Sequence, residues 1–239
     1  MALTSLPYAI ALQQDSRLNP QTKWVFSGFI FGVTDGNSYI AKMRTGMEGA
    51  WLFRSPYTAM SQRGVIAFLP YLLLGKLVSP PQVHLKLIIL FHSFRVLAGI
   101  LSVWATYHFL STFIENKLQR QISLVIATAG SGLGWLLLFN RNPDRLPLEF
   151  YSPESFGFLS LYGIPHLALG RAALLWTLLA YLRLWQTPSY RNSIILGCFW
   201  LLSVICQPVQ AAMGAGIIFF HWISMWMLEW RKKAAIYET

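Results

Sequence analysis

VHLKLIILFHSFRVLAGILSVWATYHFLSTFI, residues 83–114, decides the class of fold. A helix needs about 20 apolar residues to cross a bilayer, and this run is long enough to cross while tilted or projecting. The rest of the chain agrees with it. The 239 residues are 55% hydrophobic and only 12% charged, where a soluble domain carries about 25% charged residues. Mean hydropathy is +0.46. Ten Trp, ten Tyr and sixteen Phe suit the aromatic belts of a membrane protein. The net charge of +10 comes from scattered residues, with no basic run alternating with aromatics, so nucleic acid is not expected as a partner.

Four more runs read as spans: 121–139, 164–185, a somewhat short 192–207, and 209–229. Pro208 separates the last two and predicts a tight reversal, because proline cannot continue a helix normally. Residues 2–12 are too few to cross and lack the basic start of a secretory signal; they read as a partial first helix. Residues 64–78, with Pro70 in the middle, favour an interfacial or re-entrant helix over a span. The expected fold is therefore all-α: a polytopic membrane helical bundle of about five full transmembrane helices. A partial N-terminal helix and an interfacial or re-entrant helix in the first external loop complete it.

Basic loops set the orientation. Lys117 and Arg120, Arg183 and Arg191, and Arg231, Lys232 and Lys233 all fall on one face, expected to be cytoplasmic. Residues 13–82 then form a first external loop and 140–163 a second. Asp35, Glu48, Asp144, Glu149, Glu154 and His166 collect outside. Were 64–78 a true span, Asp35 would move to the basic face.

The polar stretch TDGNSYIAKMRTG, residues 34–46, lies within the first external loop. Asp35, Gly36 and Asn37 read as a tight turn that presents the carboxylate, or as an ordinary turn and nothing more. Lys42 follows, placed to keep that carboxylate ionised. Arg95 shares a helical face with His92. Arg171 stands near the outer end of the third span, and an arginine inside a span is costly enough to suggest function, although both arginines could instead snorkel or bond backbone carbonyls. GSGLG at 130–134 falls within a span and reads as close helix packing rather than a phosphate loop. Cys198 and Cys206 lie about 12 Å apart along one helix, too far for a disulfide.

FSGFIFGVTDGNSYIAKMRTGMEGAWLFRSPYT, PYLLLGKL and HSFRVLAGILSVWATYHFL resemble the N-terminal half of bacterial membrane glycosyltransferases of the C-type (GT-C) fold. YSPESFGFLSLYGIPHLALG resembles their second external loop and the helix after it. The resemblance covers about residues 20–185. It implies a single GT-C-like transmembrane domain over 1–239, truncated at both ends, in the bacterial inner membrane with a cytoplasmic C-terminus. It implies a sugar donor carried on a polyprenyl phosphate, an acceptor that the sequence does not name, and an external acid as catalytic base, the position Asp35 takes. Lys42, Arg44, Arg95 and Arg171 are the candidate cations for the donor phosphate. Asn37, Tyr39, Glu149, Glu154 and His166 are the candidate substrate contacts. No pair of carboxylates has the DxD spacing that holds a metal in some members, so no cofactor is expected, although a divalent metal between Asp35 and Glu149 or Glu154 stays open. The alternatives are a non-enzymatic multi-pass membrane subunit or an inactive GT-C relative; a transporter ranks third, since no two halves repeat.

Overall fold

The computed structural model describes residues 1–15, 21, 25–130, 132–134, 136–137 and 146–237, the side chains of 229 and 231–237 excepted. Asp144 and the side chains of Arg231, Lys232 and Lys233 lie outside the described residues. The described chain is helical: α1 (Ala2–Gln13), α2 (Val33–Met47), α3 (Leu69–Gly75), α4 (Val83–Phe113), α5 (Lys117–Ala129), α6 (Gly157–Gly163), α7 (Pro165–Gln186), α8 (Tyr190–Cys206) and α9 (Pro208–Tyr237). Among the described residues, the sole β pairing is an isolated bridge, Phe53 to Val65.

Three helices are long and apolar enough to cross a membrane: Val83–Phe113, Pro165–Gln186 and Pro208–Leu228. They match the expected runs at 83–114, 164–185 and 209–229, and mark the chain as an integral membrane protein. α8, the counterpart of 192–207, is apolar but shorter. Of the run at 121–139, the residues up to Ala129 belong to α5 and Gly130 turns extended; residues 131, 135, 138 and 139 lie outside the described residues.

α4 and α7 run parallel. Ala98 packs with Leu161 and Ala168, and further along Trp104 meets Trp176 edge-on at 5.5 Å. The facing surfaces are small: Ala98, Ser102 and Ala105 on α4, Ala168, Ala172 and Ala173 on α7, all buried. Lipid tails are as apolar as leucine, so small residues that let backbones approach are what hold two spans together. α5 returns along α4, and the Arg120 guanidinium donates to the carbonyls of Ile114 and Glu115 at the end of α4. α8 ends at Cys206, Gln207 is extended, and α9 starts at Pro208, which makes the expected reversal. α9 is thinly covered: 11% of its span is buried, against 39% for α4 and 44% for α7.

The first loop departs from expectation. Asp35, Gly36 and Asn37 are not a tight turn; they open the fifteen-residue helix α2. Gly32, left-handed at φ 58°, turns the chain into it. The glycines that signal a turn are there for packing. A Cβ on Gly36 would enter the Phe29 ring, one on Gly46 would strike the Leu72 carbonyl, and one on Gly75 the Met43 carbonyl. α2 and α3 thus cross backbone on backbone. The helix expected within 64–78 is shorter, Leu69–Gly75, with Pro70 in its first turn, where proline costs nothing because that N–H has no helical partner.

Candidate functional site

At the end of the bundle where α4 and α7 begin, α2 and α3 lie over a buried aromatic cluster of Phe29, Tyr71 and Phe91. α2 has two working faces. Asp35, Tyr39 and Lys42, spaced by four and three residues, share one. Asn37 and Arg44 share the other, where they border a separate hollow of about 340 Å³ with His84 and Leu87. Arg44 also faces Glu48 at 3.4 Å.

On the first face, Tyr39 stacks on Tyr71 with centroids 4.4 Å apart and meets the His166 ring edge-on at 5.2 Å. Tyr71 Oη lies 2.7 Å from His166 Nδ1. Tyr71 is fully buried, and burial pushes its phenol well up, with Tyr39 adding to the effect. A phenol held neutral donates, so Nδ1 accepts and the ring proton of a neutral imidazole sits on Nε2. Burial also raises the Tyr39 phenol, assisted by the nearby carboxylates of Asp35 and Glu154. Asp35 is exposed, in the first turn of α2, where a negative charge complements the helix dipole.

Lys42 sits in an aromatic box. Its ammonium lies 4.3 Å from the Phe68 centroid, 5.1 Å from Tyr39 and 5.8 Å from Phe53, and donates to Ser38 Oγ. Burial lowers its pKa, with Asp35 pulling the other way. Among the described residues no carboxylate comes within ion-pair distance of Lys42. Beside this group, a chamber of about 220 Å³ runs from Phe68 and Tyr71 past His166 to Cys206 and Gln207.

The structure thus brings together Asp35, Tyr39, Lys42 and His166, with Glu154 near Tyr39. It sets the other candidates apart. Arg95, only 2% exposed, spends its donors on Thr4 O at 3.1 Å, Ser5 Oγ at 3.1 Å, His92 Nδ1 at 3.2 Å and Tyr162 O at 3.5 Å. Its guanidinium lies 4.5 Å above the Tyr8 ring, and burial pushes that phenol up to about 12 against the pull of Arg95. Arg171 lies against Gly157 on the α5–α6 side, about 140° around α7 from His166. Glu149 accepts from the Gly134 N–H, and a Cβ at Gly132 would also meet its carboxylate. Gly132 and Gly134 thus face the Glu149 carboxylate, where close helix packing was expected. Among the described residues no three His, Cys, Asp or Glu converge as a metal site.

Sequence reasoning missed Tyr71 and Phe68. The signal was PYLLLGKL itself: a short helix opening on proline, which buries Tyr71 and Leu72 and leaves Leu73 exposed. Compared with protein-family models, characterised proteins and solved structures, the chain matches none.

Proposed function

We propose that the chain is a membrane glycosyltransferase of the C type, moving a sugar from a polyprenyl phosphate to an acceptor hydroxyl at the non-cytoplasmic face. The observation that carries this reading is the shared face of Asp35, Tyr39 and Lys42, apposed to His166 at the mouth of the spans. A lipid-borne sugar phosphate surfaces at that level. In this reading α5 and α8 complete about five crossings. The ends carrying Lys117, Arg120, Arg183 and Arg191 face the cytoplasm. The resemblance of the first loop to bacterial GT-C proteins supports an inner-membrane location.

The chemistry follows from the groups. The acceptor oxygen attacks the anomeric carbon, its proton passes to the Asp35 carboxylate, and the bond to the carrier phosphate breaks with its electron pair leaving on the phosphate. Lys42 supplies positive charge near the departing phosphate. Tyr39 and the Nε2–H of His166 offer donors to the sugar hydroxyls. Arg171 is the remaining candidate for the carrier phosphate, from the α5–α6 side. The unit loses about 10²–10⁴-fold in rate when a general base is removed. Turnover of labelled polyprenyl-phosphate sugar in purified membranes should therefore fall that far in Asp35→Asn with donor binding intact. Activity within a few-fold of wild type would reject the assignment.

The runner-up is a non-enzymatic subunit, and one observation favours it: the exposed face of α9, with Trp222, Trp226 and Trp230 uncovered, is a surface for other membrane helices.

A further inference from the structure

Between α2 and α3 the chain projects as a finger. Its base is clamped by the paired hydrogen bonds between Phe53 and Val65, 2.9 and 3.0 Å, and by the Phe53–Phe68 ring contact at 5.0 Å. Above the clamp, Gln62 ties both strands, accepting from Ser55 N–H at 3.0 Å and donating to Ser55 O at 3.1 Å. Ser55 and Thr58 hydroxyls then accept from the amides of Tyr57 and Met60. The polar groups are spent on shaping the finger, and the large side chains are left outside. Tyr57 is 83% exposed and Met60 80%, with Trp51 and Ile66 also uncovered around the base. Arg54 and Arg63 are exposed on the two strands. Lys76 lies 4.1 Å over the Trp51 ring. No acidic residue occurs between Glu48 and Glu115, so nothing on this stretch offsets those cations.

We propose that the finger Phe53–Val65 is an interfacial anchor that seats Tyr57 and Met60 among the lipid headgroups, with Arg54 and Arg63 on anionic phosphates. Three features select a bilayer over a protein partner. The finger rises from the end of the bundle where the spanning helices α4 and α7 begin, so the bilayer surface is its neighbour. Tyrosine and tryptophan with apolar bodies and polar edges are the residues that settle at that depth. An unopposed basic pair complements an anionic surface. The anchor also fixes the ceiling of the Lys42 box, since Phe53 belongs to both.

The test uses the full chain in vesicles without any sugar donor, so its outcome is independent of the proposed transfer reaction. A nitroxide is placed at Tyr57→Cys and, for comparison, at Glu115→Cys in the exposed connection between α4 and α5, each with Cys198→Ser; Cys206 is buried. Accessibility to oxygen and to a water-soluble nickel chelate is read in phosphatidylcholine with and without phosphatidylglycerol. The finger label should be shielded from nickel and open to oxygen when phosphatidylglycerol is present, and the Glu115 label should not. In Arg54→Gln/Arg63→Gln the seated-to-unseated ratio should drop roughly 30-fold on the anionic vesicles, from near-surface charge alone. All five replaced side chains are exposed, so the packing survives; an unchanged thermal melt checks this. Equal nickel access at the two labels in phosphatidylglycerol vesicles overturns the proposal. So does shielding that neither the lipid nor the double substitution changes, since the tip would then be seated on protein.

Discussion

Arg95 and Arg171 make the same argument in sequence and opposite ones in space. Each is an arginine inside a helix that can cross a membrane, where charge is costly. Arg95 is met from α1 by Thr4 and Ser5, from α6 by Tyr162 and from its own helix by His92, with the Tyr8 ring beneath it. Arg171 is half-buried, and among the described residues it has no hydrogen-bond, ion-pair or ring partner. An arginine whose donors are used up holds helices together; one whose donors are idle is available to an anion. The cost of burial is thus a poor guide to function until the partners are counted.

The largest effect should come from Arg95→Gln. It strips several buried acceptors of their donor and removes the contact with Tyr8, a loss of about 2–4 kcal/mol. Unfolding in mixed detergent micelles measures it; a change of a few tenths would erase the contrast between the two arginines. Next is Arg171→Gln. Stability should change by less than about 1 kcal/mol, because no partner is lost. Affinity for a polyprenyl phosphate should fall roughly 10-fold or more, the worth of a charged hydrogen bond; unaltered affinity in a lipid-binding titration would leave Arg171 without a role. The smallest and most discriminating change is Gly157→Ala. Its added methyl would overlap Arg171 Nη1 and push the guanidinium aside. Donor affinity should move in the direction set by Arg171→Gln but by less, about 3-fold. A Gly157→Ala protein that binds like wild type would show that the resting position of Arg171 is immaterial.

Run length made the spans legible: 83–114 and 164–185 each become a helix to within a residue, and 209–229 becomes the first part of α9, which runs on to Tyr237. Pro208 placed the reversal. α2 was illegible because Gly36 and Gly46 have poor helix propensity and the same residues that break helices also let them touch. The reason for each glycine lies on another element, Phe29 for one and Leu72 for the other. The site was half legible. Asp35, Tyr39 and Lys42 are a helical face once α2 is known to be a helix, and reading 35–37 as a turn hid it. The separation of Asn37 and Arg44 from that face follows from the same correction. His166 stood out after its proline, but Tyr71 reaches it across 95 positions of sequence, and no local pattern encodes that. Arg95 was indistinguishable from Arg171 because its partners lie 90 or so residues upstream and 67 downstream.

The backbone crossing of α2 on α3 has a mechanical consequence. Gly46 rests on the Leu72 carbonyl and Gly75 on the Met43 carbonyl, two reciprocal points one turn apart. A single pivot would let the helices rotate; two forbid both rotation and sliding. The pair is a lever. Whatever shifts Tyr71 against His166 must carry α2, and Asp35 with it.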